Sequence, residues 1–451
     1  MGVLAVVLSL DPAAVGYSLL GGTLPLSQRD FRVYNNFLDP DANDNITPHA
    51  NFPGALGAVM SIWKAAAEWE SRRYADGDGD PLQPIFAGFG LGDGNANFDW
   101  SWQGEATSAE GVFSNVVSSQ ASSGSCNGGV LAYTVGGGSS IGWQIRFCEN
   151  GLNWEDDPFG PAGNDCDLQG VACHEFGHAL GLGHSSIAGA TMYATTTCTG
   201  AVAARSLLWD DTAGVQAAYG AAGSTKTEVT TITGTLASGA DITVTGLNFA
   251  ATGNEVWFTK ENSNGTPKKV TGIASTGGGT SLTVQIPASG VQEGSLNVKA
   301  GGAHENLSNS WPLDLVVVEM PGPFGSGCLG MTVGFSNGPA NIGNANFGIT
   351  LAGAPALLPV IMVVGMSNTS FSGLPLPFSL APWGGGAGCV LNVSADLTIN
   401  MFTDFGGGAL LPVSIPNNPG LVGATFYGQW INFHPFLGII SSDGLEIEIQ
   451  P

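Results

Sequence analysis

The segment Cys173-His-Glu-Phe-Gly-His-Ala-Leu-Gly-Leu-Gly-His184 decides how this chain is interpreted. His174 and His178 are four residues apart, so on a helix their imidazoles project from one face, one turn apart. Two neutral imidazoles at this spacing supply half of a tetrahedral zinc site. Gly181 lets the helix end in a left-handed turn, which brings His184 back as a third ligand. The segment therefore predicts a zinc site with one position open to water.

Glu175 directly follows the first predicted ligand. Its carboxylate can reach a water on the metal without itself binding the metal, as a general base must. A bare His-Glu-x-x-His pattern is only suggestive, but Gly181 and His184 together make the motif far more specific. The alternative for each histidine alone is a buried or surface residue without a role. For Cys173 we expect a packed or disulfide-bonded residue rather than a zinc ligand.

The extended pattern resembles the metzincin clan of zinc metalloproteases. Met192 lies eight residues after His184, where this clan has a methionine turn beneath the zinc. Within the clan the sequence is most similar to matrixins, because Asp210-Asp211-x-x-Gly214-Val-Gln-x-x-Tyr219-Gly resembles their closing helix. The similarity covers roughly Tyr17 to Gly220, which is under half of the chain.

The resemblance implies a catalytic domain at residues 17–222 that hydrolyses peptide bonds. In such a domain a zinc-activated water attacks the peptide bond and Glu175 acts as the general base. Gly129-Val-Leu-Ala-Tyr133 resembles the edge strand on which matrixins lay an extended substrate. Leu131 and Ala132 in this segment are therefore predicted to bind substrate. Tyr193, which follows Met192, is predicted to bind substrate as well.

The chain departs from animal matrixins in three respects. It has no histidine between Asn51 and Cys173, so we expect no second, structural zinc. We also expect no pro-domain with a cysteine switch. Ala194 stands where matrixins usually carry proline, which leaves the shape of the primed-side specificity pocket open.

Apolar periodicity places helices and strands in this region. A helical pattern lies within Phe52–Arg73, and further helices are predicted over Asp167–Leu182 and Asp210–Tyr219. Gly128–Thr134 and Gly142–Cys148 alternate or run apolar as two strands do. The region is therefore predicted to be α+β.

Acidic segments raise the question of calcium as a second cofactor. Asp76-Gly-Asp-Gly-Asp80 begins like an EF-hand loop, but Ala87 stands at the twelfth position, where that loop needs Glu. Three calcium sites of another type remain open, and the alternative for each is a solvated turn. They are Asp76–Asp80 itself, the set Asp93, Asn95, Asn97 and Asp99, and Glu155–Asp157 with Asp165.

The rest of the chain is predicted to be all-β. Strand-like segments separated by Gly, Asn and Ser turns fill residues 226–319 and predict a β-sandwich. Within it, Ser238–Phe249 resembles the IPT/TIG type of immunoglobulin-like domain, which implies a spacer or binding module. Residues 320–451 are predicted to form a second sandwich of no assigned family, where carbohydrate or cell-surface binding remains open. The predicted fold class is thus multidomain, an α+β metzincin-like catalytic domain followed by two all-β sandwich domains.

Composition favours an extracellular protein and excludes one class of partner. Among 451 residues 69 are glycine and only 11% are charged, which suits β-rich extracellular domains. The formal charge of -24 would be repelled by a phosphate backbone, so nucleic-acid binding is not expected. Gly2–Leu10 is a short apolar run without a preceding Lys or Arg, so residues 1–16 are interpreted as a signal-peptide remnant, with a clipped start or a buried strand as the alternatives. No stretch is long enough to predict a membrane span.

Cysteine usage fits an oxidising compartment, and the alternative is reduced, buried thiols. Cys328 is predicted to pair with Cys389, and Cys126 can pair with Cys148. The other three leave at least one over. The seven cysteines are at 126, 148, 166, 173, 198, 328 and 389.

The sequence therefore predicts a secreted, zinc-dependent endopeptidase that acts on a peptide or protein. Its predicted ligands are His174, His178 and His184, above the methionine turn of Met192. The main alternative is a catalytically silent adhesion or binding protein on a protease scaffold. A second alternative is a zinc hydrolase that acts on bonds other than peptide bonds.

Overall fold

A computed structural model describes residues 16–71, 95–120, 124–149, 151–200, 202–301, 307–315 and 322–450. The proposed signal-peptide remnant, except Gly16, lies outside these ranges, as do the Asp76–Asp80 segment and Asp93. The described residues pack as two compact units. The first takes those of Met1–Gly234, Ile242–Val284 and Gly290–Asp314, and the second takes those of Thr235–Asp241, Gln285–Ser289 and Leu315–Pro451.

The first unit begins with a mixed sheet and helices, as the α+β prediction required. In chain order its elements are β1 (Ser18–Leu19), a 3₁₀ turn (Leu26–Gln28), β2 (Asp30–Tyr34), a 3₁₀ turn (Pro40–Asn43), α1 (Gly57–Ala67), β3 (Ser101–Glu105), β4 (Val116–Gln120), a 3₁₀ turn (Gly124–Cys126), β5 (Ala132–Val135), β6 (Gln144–Cys148), β7 (Trp154–Glu155), β8 (Cys166–Asp167), α2 (Leu168–Ala179), β9 (Leu182–Gly183), a 3₁₀ turn (Ala203–Arg205) and α3 (Trp209–Tyr219).

The main sheet has the strand order β3-β2-β4-β6-β5. Neighbouring strands are parallel from β3 through β6, whereas β5 runs antiparallel to β6. Because β5 lies at the end of the order, one side of its backbone is free of strand pairing within this sheet. An edge strand of this kind can accept an extended peptide as an additional strand.

The first two helices lie within the predicted segments and are shorter, whereas α3 begins one residue before the predicted start, at Trp209. α1 is buried over all of its residues, not on one apolar face alone, because it packs against α2 as well as the sheet. α2 begins after Asp167, whose carboxylate accepts a hydrogen bond from the Gly170 N–H at 3.2 Å as an N-cap. It ends at Ala179, three residues before the predicted end, and Gly181 follows with φ +96°.

An aromatic core holds α2 against the main sheet. Phe176, on α2, meets Phe31 and Trp100 edge to face, with ring centroids 5.5 and 5.3 Å apart. Trp143 contacts the same ring at 5.8 Å. Such pairs add about 0.5–1.5 kcal/mol each beyond the area they bury. The helix that carries His174 and His178 is therefore fixed by rigid side chains on its opposite face.

A two-sheet region follows in the chain, with strands at the predicted segments. Its elements are β10 (Glu228–Gly234), β11 (Asp241–Leu247), β12 (Asn254–Lys260), β13 (Lys268–Ile273), β14 (Ser275–Thr276), β15 (Ser281–Gln285), β16 (Val291–Lys299) and β17 (Trp311–Leu313). The strand orders are β10-β11-β15-β14 in one sheet and β13-β12-β16-β17 in the other. Val256 and Phe258 on β12, and Leu296 and Val298 on β16, lie at alternate positions and are fully buried.

Within the first unit, buried charges join this two-sheet region to the α+β region. The Lys226 ammonium lies 2.5 Å from the Asp99 carboxylate, and both side chains are buried. The Glu70 carboxylate accepts hydrogen bonds from the Ser310 N–H and hydroxyl, at 3.2 and 2.8 Å. Asp99 was one of the residues considered for calcium. The ammonium of Lys226 contacts its carboxylate instead, so that part of the calcium prediction is wrong.

The second unit is all-β, as predicted for the C-terminal region. Its elements are β18 (Pro323–Phe324), β19 (Thr332–Ser336), β20 (Gly348–Ala352), β21 (Pro359–Gly365), β22 (Ser370–Phe371), β23 (Leu374–Pro375), β24 (Phe378–Ser379), a 3₁₀ turn (Ala381–Trp383), β25 (Val390–Leu391), β26 (Leu397–Phe402), β27 (Ala409–Pro412), a 3₁₀ turn (Pro419–Leu421), β28 (Thr425–His434) and β29 (Gly438–Glu448). A five-stranded sheet, β18-β29-β28-β21-β26, and a three-stranded sheet, β19-β20-β27, enclose one apolar core.

Three disulfides connect the described cysteines. The predicted pairs Cys328–Cys389 and Cys126–Cys148 are confirmed. The third disulfide joins Cys166 to Cys198, so Cys173 is the cysteine left over, and it is buried. Among the described residues, no helix is both long enough and apolar enough to cross a membrane.

Candidate metal centre

Three histidines converge at the carboxyl end of α2. The ring centroids of His174, His178 and His184 lie 4.7 to 5.4 Å apart. One nitrogen from each ring lies within 4.8 Å of the other two, a separation that one bound cation can span. The return of the chain depends on Gly181, where a Cβ would lie 2.6 Å from the Gly22 carbonyl oxygen. The predicted ligand set is therefore brought together, and it fits a zinc site.

Backbone carbonyls fix the orientation of two of these rings. His174 Nδ1 lies 2.7 Å from the Thr191 carbonyl oxygen, and His178 Nδ1 lies 2.8 Å from the Leu182 carbonyl oxygen. Because a carbonyl can only accept, each Nδ1 carries the proton and each Nε2 keeps its lone pair for a metal. Burial lowers the pKa of His174 to about 4 and lowers the pKa of His178 as well. Both rings are thus neutral at pH 7, the form that binds zinc.

Glu175 lies at the bottom of the same cleft and is 4% exposed. Its carboxylate accepts a hydrogen bond from the Thr134 hydroxyl at 2.6 Å. Burial raises the pKa of Glu175 to about 7, and the hydrogen bond from Thr134 opposes this shift. A carboxylate with a pKa near the working pH is suited to take up and release a proton. Sequence reasoning missed Thr134, although its place two residues after Ala132 puts both on one side of β5.

Met192 is fully buried directly beneath α2. Its sulfur lies so close to the helix that a Cβ on Gly177 would stand 2.2 Å from it. Asp211 holds the turn by accepting hydrogen bonds from the Thr191 and Met192 N–H groups, at 2.7 and 2.9 Å. Sequence reasoning used Asp211 only within a family pattern and did not find this role. The turn therefore supports His174 from below through the Thr191 carbonyl.

A cleft of about 480 Å³ contains the histidine cluster. Ala132 of the edge strand β5, together with Leu131, forms part of one wall, and Tyr193 and Ala194 form part of the other. All three residues predicted to bind substrate thus face the same cleft as the predicted metal ligands. This arrangement can hold an extended chain along β5 with one of its bonds at the metal centre.

A second group of metal-binding side chains lies elsewhere in the first unit. Asp44, Glu155 and Asp156 place carboxylate oxygens within 4.8 Å of one another. Asp44 was not foreseen. Of the other residues considered with Glu155 and Asp156, Asp157 accepts a hydrogen bond from the Phe159 N–H at 2.7 Å, and Asp165 accepts one from Asn153. Calcium binding by Glu155–Asp157 with Asp165 stays a prediction.

These features define the class of the first unit, a domain whose histidine centre can hold a zinc ion with one position left open. The family model described as Matrixin matches residues 34–220 and supports a matrixin catalytic domain in this part of the chain. Interstitial collagenase of Bos taurus is 42% identical over 93 residues, which are 21% of this chain and 18% of that protein. Metalloendoproteinase 4-MMP of Arabidopsis thaliana is 50% identical over 58 residues, 12% of this chain and 15% of that protein.

The matches are confined to a small part of each relative. Matrix metalloproteinase-20 of Homo sapiens is 38% identical over 92 residues, 20% of this chain and 18% of that protein. The chain thus spans less than a fifth of the length of these relatives. A solved structure described as a tetra-tandem repeat in the extending region of a large adhesion protein matches 49% of this chain and 48% of that chain, at 14% identity. The TM-score is 0.16, so nothing about the fold is concluded from this match.

Proposed function

We propose that this protein is a secreted, zinc-dependent endopeptidase. The observation that carries the proposal is the convergence of His174, His178 and His184 beside the buried carboxylate of Glu175, in a cleft bordered by a sheet edge. A centre that served only to stabilise the fold would be closed by a fourth ligand, whereas this one opens into the cleft. Secretion is supported by the three disulfides.

The three histidines would hold zinc through their Nε2 atoms. Bound zinc supplies Lewis acidity, which polarises the peptide carbonyl and makes water a nucleophile near neutral pH. Glu175 accepts a proton from the attacking water and later delivers it to the leaving amine. Thr134 directs this carboxylate by its hydrogen bond at 2.6 Å. The chain's own contribution is thus to keep the ligands neutral and the base oriented.

The edge of β5 would bind the substrate as an added strand. Its pairing with β6 uses one side of the backbone, and the other side borders the cleft. Hydrogen bonds from Leu131 and Ala132 would align a peptide so that its scissile bond lies at the metal centre. Because these hydrogen bonds would be made to the main chain of the substrate, this binding mode favours peptides over other substrates.

Removal of the metal is expected to stop cleavage reversibly. The purified protein should contain one zinc per chain and cleave casein or gelatin, and a chelator should abolish the cleavage until zinc is restored. Elemental analysis beside a fluorescent casein assay measures both. Bound zinc without cleavage of any peptide would favour a silent binding protein on a protease scaffold. Turnover of an ester or a glycan instead would favour a zinc hydrolase of another class.

Thr134→Val is expected to lower kcat about tenfold or more with little change in KM. The variant loses the charge-assisted hydrogen bond to Glu175, and such bonds contribute about 1.5–3 kcal/mol. Thr134→Ser should recover most of the rate because it keeps a hydroxyl. Thr230→Val is a matched control, since Thr230 also lies on a strand and donates to a carbonyl at 3.2 Å, but outside the cleft. A wild-type kcat in Thr134→Val would remove Thr134 from the mechanism.

The two β-rich regions have proposed roles outside catalysis, as a spacer and as binding modules. We propose that the strands at residues 226–319 form an IPT/TIG-like spacer or binding module and that residues 320–451 mediate carbohydrate or cell-surface contacts. The second unit has no Lys or Arg from Glu319 onward, so such contacts would depend on polar and aromatic side chains.

A further inference from the structure

A recess lies beside the metal cleft, at the amino end of α2. Leu131, Val171 and Thr196 border both the cleft and the recess, so the two are adjacent. The Cys166–Cys198 disulfide and Ala204 form its far side. The recess has a volume of about 10 Å³, which is roughly the space that one water molecule needs. The recess can therefore admit about one methyl group.

The direction of β5 decides which part of a substrate meets this recess. β5 runs alongside α2 in the same direction, because Thr134 contacts Glu175 and the Gly138 N–H donates to the Ala179 carbonyl at 2.9 Å. A substrate strand antiparallel to β5 thus has its amino end near Gly138 and its carboxyl end near Leu131. The recess then faces the residue on the carboxyl side of the scissile bond.

The disulfide fixes the size of the recess. Residues 195–197 are exposed, but Cys198 ties this segment to Cys166, which is 1% exposed. The neighbouring Asp167 is held in turn by the buried guanidinium of Arg205, at 2.7 Å. Without the disulfide the exposed segment is no longer cross-linked to Cys166, which directly precedes the N-cap of α2, and can move outward. With the disulfide in place this side of the recess is rigid, so a large substrate side chain would be overpacked there.

We propose that the Cys166–Cys198 disulfide determines specificity, by restricting the residue after the scissile bond to a small side chain such as Gly, Ala or Ser. The inference rests on the proposed function, since it assigns a preference to the same site. It also names a substrate class, namely extended peptides rich in small residues. Overpacking of a rigid site is the physical basis of the discrimination.

The test compares peptides that differ only at this position, with Ala, Leu or Phe. The wild type is expected to cleave the Ala peptide at least tenfold more efficiently in kcat/KM. In Cys166→Ala/Cys198→Ala the preference should fall to threefold or less. Cys126→Ala/Cys148→Ala is the matched control, which also lacks one disulfide of the first unit and should keep the wild-type ratio. Ala204→Val keeps the disulfide and narrows the recess, so it should raise the ratio further.

A binding measurement separates this inference from the proposed function. The same peptides are titrated into zinc-loaded Glu175→Ala, with and without the disulfide, and the ratio of Kd values is read. Failure of the wild type to cleave any peptide overturns the proposed function, and the Kd ratio then decides the inference. Cleavage with equal rates for Ala, Leu and Phe overturns the inference alone. If the double variant does not fold, Ala204→Val decides, and an unchanged ratio in that variant contradicts the proposal.

Discussion

Glu175→Ala is expected to lose peptide hydrolysis by about a hundredfold to ten-thousandfold while keeping one zinc per chain. The expected loss is large because a positioned base is needed both to activate the water and to protonate the leaving amine. Zinc should remain because the three histidines keep their geometry: His174 and His178 are oriented by backbone carbonyls and not by Glu175. Zinc content and the kcat of casein or peptide cleavage measure the two effects separately.

Glu261→Ala is the control for this substitution. Glu261 is exposed and lies outside the cleft, so neither zinc content nor rate should change. If Glu175→Ala lost its zinc, Glu175 would be required for the metal site itself. A rate within tenfold of wild type would show that another group takes the proton, and the assigned role of Glu175 would be wrong.

The centre could be predicted from sequence because its geometry is local. The positions of His174 and His178 on one face follow from the helical repeat, and the position of His184 follows from one turn at Gly181. Thr134 and Asp211 could not be found in the same way. Thr134 is 41 residues from the carboxylate it contacts, and Asp211 is 19 residues from Met192. Such contacts depend on how a strand and a helix pack, which spacing along the chain does not encode.

The fold was predictable to a similar degree. Apolar periodicity indicated the strands and helices, because apolar residues recur along each element with the period of a strand or a helix. Periodicity did not indicate that β2, β3, β4 and β6 are parallel. The direction and the order of strands are set by the connections between them, not by the pattern within each strand. The pairing of Cys166 with Cys198 was also left open, because with Cys173 three pairings were available.

Asp99 shows why buried charge is hard to interpret from sequence. In a Gly- and Asn-rich segment it had the composition of a calcium loop, but the cation beside it is Lys226, far along the chain. Burial raises the pKa of Asp99, and Lys226 opposes the shift. For Glu70 burial is again the main cause of a raised pKa, with Asp99 adding to it and Lys226 opposing it. Among the residues that the structure describes, Lys226 is thus the cation that opposes the shift at both buried carboxylates.

Lys226→Met is expected to destabilise the first unit by about 3–5 kcal/mol at neutral pH, because it removes the cation that contacts the buried carboxylate of Asp99. Lys299→Met is the matched control. Lys299 pairs with Glu255 at 3.0 Å near the surface, so its loss should cost about 1 kcal/mol or less. Urea unfolding of the three proteins measures both differences. Equal costs for the two substitutions would mean that burial does not distinguish these pairs.

The pH dependence of the loss identifies its cause. A carboxyl whose pKa is raised by folding binds its proton more tightly in the folded state, so folding is favoured at low pH and less so as pH rises. The ordinary pKa values are 4.5 for Glu70 and 3.8 for Asp99, and without Lys226 both folded values rise further. Lys226→Met should therefore cost less at pH 5, where the carboxyls can take up protons, than at pH 8. The second substitution in Lys226→Met/Asp99→Asn should restore part of the stability at pH 8. A cost independent of pH would instead assign the loss to packing of the lysine chain and not to its charge.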